Sequence, residues 1–351
     1  MKIDINKLSE YVKNLTSKKI LVVGDMALDE MVYGDTERIS REAPVLILQH
    51  THTNLILGAA SNAAHNVSSI NCGKVGVIGV VGDDYQANDL KSAFEKANID
   101  CSNLIVDSTR KTVTKTRISG SCFQSITQQI VRIDRQSSEP LSKETENSLI
   151  EALKKVIPEY DAVILSDYHI GTLTDNVIKT AIDLCNSLGK KVIVDAQKGM
   201  ERYRGATSMT PNLPDTQKHV GFYIKSDADL LKAGMKLLTD TDCEFVLITC
   251  GEHGMALVTK AGKMIRIPVF NKSKVFDVTG AGDTVTALYG LALAVGAEPV
   301  YAAIIGNIAA GIVIKQFGCA TTTVDELLDF ISENKHLIEK FDMGEYNEKN
   351  L

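Results

Sequence analysis

A doubly wound, mostly parallel α/β sheet with a small separate β-sheet acting as a lid is the fold class this sequence predicts, on three observations. Short apolar runs recur along the chain, many of them ending in Asp or Gly; stretches of helical periodicity separate them; and two segments rich in Thr, Val and Ile break that rhythm with alternating polarity. At 351 residues, 44% hydrophobic and 23% charged, with 7 prolines, the chain can bury a sizeable core.

Residues 1–17 read as a helical lead-in, and KKILVVGD (18–25) as a buried parallel strand delivering polar residues at its carboxyl end. APVLILQHTHT (43–53) alternates in polarity and is predicted as a strand outside the main sheet, its alternate histidines facing solvent for want of a third metal ligand nearby. KVGVIGVVG (74–82) is a second buried run, followed by a helix over 86–98. KTVTKTRISGSCFQSITQQIVRID (111–134) contains a Gly-Ser turn and joins 43–53 in the lid, which excludes water from a reacting centre. A helix over 144–157, the run YDAVILSD, a helix over 174–187, the run KKVIVDA, a helix over 226–240 and the run CEFVLITCG complete the alternation, and the tail FDMGEYNEKNL (341–351) is expected to fray. Ligands in open α/β sheets bind beyond the carboxyl ends of strands, so the site is expected along the edge where strands end in Asp or Thr-Cys-Gly.

A net charge of −6 with no basic stripe argues against nucleic acid or an anionic membrane as partner. The 7 cysteines are scattered and form no C-x-x-C pair, which indicates a reducing compartment. The N-terminus has no apolar signal region and no run approaches the roughly 20 residues of a membrane span, so a cytoplasmic protein is expected.

Chemistry concentrates in DVTGAGDT (277–284), placed between a short strand and the apolar helix TVTALYGLALAVG. The glycines turn the chain sharply, which would leave the amides of Gly280, Ala281, Gly282 and Asp283 at a helix N-terminus, suited to an anion such as phosphate. Asp283 alone could equally be an ordinary helix cap. Phosphoryl transfer to an alcohol needs a base, donors for the transferred group and a metal on the nucleotide phosphates. No GxxxxGK[ST] string and no HRD or DFG set is present, which excludes the Walker and protein-kinase designs.

The string Asp277 to Asp283 resembles the D-T-x-G-A-G-D signature of the ribokinase-like, or phosphofructokinase B, sugar kinases, and the resemblance runs from about Lys18 to about Glu326. RISREAPV (38–45) and ERYRGAT (201–207), with TVTKTRI, LSDY and TPNLPD, are similar to the branch that phosphorylates the anomeric hydroxyl of D-glycero-D-manno-heptose 7-phosphate on the way to ADP-heptose and lipopolysaccharide. The resemblance implies a kinase domain over 18–340 that uses ATP and magnesium. It makes Asp283 the base, with an ordinary carboxyl pKa near about 4, and the amides of Gly280, Ala281 and Gly282 an anion hole. It also implies that Asp25 and Asp29 grip sugar hydroxyls, and that Gly58 and Asn62 let the sugar approach the backbone. Asn212 and, through water, Asp215 would serve magnesium and phosphate; Thr249, Gly251 and Gly254 the nucleotide loop; and Asn307 the adenine flank. For the phosphate already on the sugar the candidates are Lys115, Arg117, Arg132 and Lys198, with Arg202 and Arg204 behind them.

Three departures bear on the substrate. Ala59 stands where the family has a second glycine, tolerable if its φ stays negative; Asp215 stands where it has Glu; and the segment 195–205 is one residue short, so that Lys198 or Gln197 could meet the phosphate. No H-x-G-H string occurs, so the kinase step alone is expected. Another sugar acceptor on the same fold, or a non-catalytic nucleotide or sugar sensor, are the other readings. A lid with one apolar face predicts a homodimer through it.

Overall fold

The computed structural model describes residues 2–122, 126–270, 277–316, 318–340 and 345–346. Its strands are β1 (Ile20–Gly24), β2 (Met26–Ile39), β3 (Leu46–Ala59), β4 (Val75–Ile78), β5 (Val80–Val81), β6 (Ile105–Val106), β7 (Val113–Ser121), β8 (Gln128–Arg135), β9 (Ala162–Asp167), β10 (Lys191–Ala196), β11 (Ser208–Met209), β12 (Phe245–Thr249), β13 (Met255–Thr259), β14 (Lys263–Ile267) and β15 (Glu345–Tyr346). Nine of them form the main sheet, in the order β15-β14-β13-β12-β11-β10-β9-β1-β4. It is parallel from β4 to β12 and antiparallel from β12 to β15. The predicted doubly wound α/β architecture is the one observed.

Alternation along each buried strand feeds two cores. In β1, Ile20 and Val22 join one cluster with the helices Ala60–Asn71, Ala281–Ala294 and Pro299–Val313, while Leu21 and Val23 join the other with Lys143–Val156, Asp175–Ser187 and Asp227–Thr241. Four helices lie within two residues of the predicted spans because each starts on a side-chain cap: Asp84, Ser142, Thr174 and Ser226 accept from the amides of Ala87, Thr145, Val177 and Asp229.

After β4 the chain returns to the other side of β1 to add β9, so the strand order reverses beside β1. Ligand crevices of open α/β sheets open at such a reversal. Asp25, the single residue between β1 and β2, lies there, as does Asp167 at the end of β9.

The second sheet has four strands in the order β3-β2-β7-β8, with β2–β3 and β7–β8 antiparallel and β2–β7 parallel. The lid segments expected over 43–53 and 111–134 become β3 and the pair β7–β8. The pattern missed β2, whose Asp, Glu and Gly residues obscure its alternation and whose pairing with β3 shifts register twice. Residues 123–125, inside the second lid segment, lie outside the described residues. So do 271–276, which carry most of the strand expected before Asp277, and all of the tail 341–351 except β15, which pairs with β14. No helix among the described residues is long and apolar enough to cross a membrane.

Candidate active site

The helix Ala281–Ala294 differs from the four capped ones: its N-cap is Gly280 at φ +77°, with no side-chain cap bond. A Cβ on Gly280 would lie 2.6 Å from Asn62 Nδ2, so glycine is required here for both conformation and space. The Ala281 amide donates to the Val278 carbonyl (3.2 Å), which removes it from the expected anion hole. Among the described residues the amides of Gly280, Gly282 and Asp283 have no partner, and a Cβ on Gly282 would meet nothing within 4 Å. An open cradle of donors therefore faces the crevice.

Asp283 is 6% exposed, with Oδ2 accepting from Asn62 Nδ2 and Oδ1 from the Tyr168 hydroxyl, both at 2.7 Å. Burial pushes its carboxyl up to about 6, against the opposing pull of Asn62, Tyr168 and the Lys115 charge. The expected ordinary pKa is thus corrected upward: the group is a stronger base, poised near neutrality. Asn62 holds the base rather than opening space for a sugar.

Asp25 is not free to grip sugar hydroxyls. It is 1% exposed, and its carboxylate accepts the backbone amides of Tyr168, Ile170 and Thr172, each at 3.0 Å. It clamps the loop after β9, and burial raises its pKa. Asp29, on β2, is also buried, with Arg117 Nη1 2.9 Å from its Oδ1. Gly58 owes its size to Asp29: a Cβ there would come 3.1 Å from the Asp29 carboxyl carbon.

The lid brings three of the predicted cations onto one face. Lys115 and Arg117 alternate along β7, and Arg132 on β8 is the cross-strand partner of Arg117. Lys115 Nζ stands 5.6 Å from the centre of the Tyr168 ring, and Arg132 is held by Asp134 at 2.6 Å. Like charges directly opposite each other cost stability unless an anion lies between or beside them. Lys198 does not join this group: its side chain is exposed, and its carbonyl accepts from the His169 ring. Arg202 is committed to Asp167 and Asp175, and Arg204 to the carbonyls of Thr239 and Asp240.

A cavity of about 150 Å³ joins Asp283, Gly280 and Gly282 to Tyr168, Asp195, Gln197, Asn212, Asp215 and Thr249. Asn212 caps the helix Leu213–Val220, accepting the Asp215 amide while its own Nδ2 donates to Asp215 Oδ2 at 2.7 Å. Gly251 and Gly254 form the turn between β12 and β13, beyond the cavity lining. Asn307 is buried on the helix Pro299–Val313 and donates to the Pro268 carbonyl.

Desolvation and the negative charges of Asp283, Asp215 and Asp167 push Asp195 up to about 7, so this corner is short of positive charge. No group of three ligands suited to a metal ion occurs among the described residues. Asp195, Asp215 and Asn212 are oxygen donors lining this corner of the cavity. The sequence patterns missed Tyr168 and Asp195; each stands at the carboxyl end of a strand, which was the signal available.

Residues 17–326 match the pfkB family carbohydrate kinase profile. The chain belongs to the pfkB family. Among curated pfkB relatives, the bifunctional protein HldE of a Nitratiruptor species is 38% identical over 312 residues, covering 89% of this chain and 64% of that protein. That of Desulfatibacillum aliphaticivorans is 39% identical over 318 residues, covering 90% and 63%. The chain thus spans less than two thirds of these relatives' length. Of solved structures, phosphofructokinase-2 from Escherichia coli in complex with substrates and products superposes with a TM-score of 0.71 at 15% identity, covering 91% of this chain and 99% of that one. Arabidopsis thaliana ribokinase complexed with ribose and ATP gives 0.65 at 16%, covering 93% and 99%. Both share the fold.

Against the glycine pair of the pfkB pattern, Ala59 adopts φ +50° and ψ −133°, so the condition under which its methyl would be harmless is not met. Its methyl packs with Ala27 and Val113 below Tyr168 and Ile170, which offsets part of the strain. Ala59→Gly is expected to raise unfolding stability by about 1 kcal/mol, the strain released less the entropy glycine adds to the unfolded chain. Chemical denaturation checks it, and a loss of stability would show that methyl packing outweighs the strain.

Proposed function

We propose that the chain transfers the γ-phosphoryl group of ATP, bound with magnesium, to the anomeric hydroxyl of D-glycero-D-manno-heptose 7-phosphate, giving the 1,7-bisphosphate used for ADP-heptose. The observation that carries this reading is a buried carboxylate beside an uncapped helix N-terminus, facing a lid that presents Lys115, Arg117 and Arg132 on one face. Asp283 would take the proton of the attacking hydroxyl, while the amides of Gly280, Gly282 and Asp283 hold the transferred group. Magnesium would neutralise charge on the nucleotide phosphates, with Asn212 and Asp215 nearby and Thr249, Gly251 and Gly254 along the nucleotide's path. Asp29 would meet sugar hydroxyls, and the lid cations the 7-phosphate. The RISREAPV and ERYRGAT strings, together with 38–39% identity to HldE proteins over about nine-tenths of the chain, support the heptose acceptor.

Lys198 outside the cavity and Gln197 within its lining favour, as a second reading, another sugar phosphate. ADP release separates the two. Turnover is expected with heptose 7-phosphate and not with ribose, fructose 6-phosphate or sedoheptulose 7-phosphate, and its kcat/KM should fall as pH drops through about 6, where Asp283 gains its proton. Turnover on a different sugar discards the heptose assignment; silence across the panel discards the kinase reading for this chain.

The lid also exposes Ile39, Val45, Leu46, Ile130, Val131 and Ile133. A second subunit covering them would make the protein a lid-to-lid homodimer. Sedimentation as a monomer at micromolar concentration would remove that part of the proposal.

A further inference from the structure

We infer that Tyr168 is the positioning residue of the catalytic base, its hydroxyl fixing the Asp283 carboxylate in the ionised, correctly turned state and its ring linking that carboxylate to the lid through Lys115. This rests on the kinase reading of the site. A carboxylate oxygen offers two lone pairs. Each oxygen of Asp283 takes one donor, Tyr168 at Oδ1 and Asn62 at Oδ2, so each keeps one lone pair and the plane of the group is set.

Both donors are themselves held. Asn66 Nδ2 donates to the Asn62 side-chain oxygen (3.3 Å) and to its carbonyl (2.9 Å), which obliges the Asn62 amide nitrogen to face Asp283. The Thr284 hydroxyl in turn donates to Asn66 Oδ1 at 2.9 Å. Tyr168 is pinned by its own amide on Asp25 and by its ring on the cluster of Ala27, Ala59 and Val113. Burial and the Asp283 charge hold its hydroxyl protonated, so it donates to the carboxylate and keeps its proton throughout; the proton taken from the acceptor resides on Asp283 alone.

Hydrogen bonding to the charged form stabilises it. Tyr168 and Asn62 thus oppose the burial that favours protonation. The other charged or titratable groups bearing on Asp283 are Lys115 from β7, which favours the carboxylate; Asp29 from β2, which disfavours it; and Asp195 from β10 and Cys319 after the helix Pro299–Val313, both themselves raised by the Asp283 charge. Of these only Lys115 is a cation, and it reaches the site across the Tyr168 ring. The lid strand that carries the expected phosphate contacts is therefore also in contact with the residue that sets the base.

Tyr168→Phe keeps the ring and removes the donor. Its kcat is expected to fall about tenfold at pH 8 and further at pH 6, with the acceptor KM within about threefold, and the acid limb of kcat/KM to move up by about one pH unit, the size of a hydrogen bond to a charged group. Lys115→Met is expected to move the limb in the same direction, and the double variant less than the sum of the two, since the residues touch. Carbon-13 titration of the Asp283 carboxyl in the ligand-free protein is expected to show the same upward displacement in Tyr168→Phe. An unmoved limb and an unmoved midpoint, even with turnover reduced, would overturn the inference and leave Tyr168 a packing residue. A wild-type protein without kinase activity would sink the functional reading, while the titration would still decide whether Tyr168 governs Asp283.

Discussion

Asp283→Asn is expected to cut kcat by about a thousandfold, the middle of the range for losing a general base, while the KM for ATP stays within a few-fold. An amide cannot take the hydroxyl's proton. Its oxygen can still accept from Asn62 while its N–H₂ donates to the Tyr168 oxygen, both 2.7 Å from the present carboxylate, so the hydrogen-bond frame is kept and the base alone is lost. Asp283→Ala removes the base and the hydrogen-bond frame together, and should lose a similar factor. Steady-state kinetics of both variants read the result. A loss below tenfold in either would remove Asp283 from the proton's path.

The largest effect on stability is expected at Asp25→Ala. Three backbone amides, those of Tyr168, Ile170 and Thr172, would lose their acceptor in a region with little access to water, for a cost of about 3–5 kcal/mol. Asp25→Asn keeps one oxygen acceptor and should cost about half as much. The midpoint of urea unfolding measures both, and a change under about 1 kcal/mol for the alanine variant would show that water or a rearranged loop supplies the missing acceptor. Because the same loop carries Tyr168, the surviving folded protein should also lose turnover, although Asp25 touches no reacting atom.

The architecture was legible because its signals are local. Buried strands are continuous apolar runs, and Asp84, Ser142, Thr174 and Ser226 mark helix starts that any capping pattern finds. The glycines of TGAGD were legible for the same reason, since a positive φ and an uncapped helix are written in consecutive residues. Pairings across the chain were not. Asp25 and Asp29 stand four residues apart and looked alike; only the fold directs one to a backbone clamp and the other to an ion pair with Arg117 of the lid. Arg202 and Lys115 were equally plausible phosphate ligands until the structure placed the first on Asp167 and Asp175. The raised pKa of Asp283 is a property of burial, and no spacing encodes it.

The parallel pairing of β2 with β7 bears on how the protein is made. Partners in this ladder, such as Glu30 and Thr116, are 86 residues apart, and no turn joins the strands. Such a contact closes slowly compared with the adjoining hairpins, since a long loop must be gathered first. During synthesis β2 and β3 can zip together as soon as they emerge, but that hairpin waits with one edge open until Ser121 has been made. Its register then matters more than its strength: a slip of one residue would turn Lys115 and Arg117 to the opposite face and present Thr114 and Thr116 to the crevice, giving a folded protein whose cations point the wrong way.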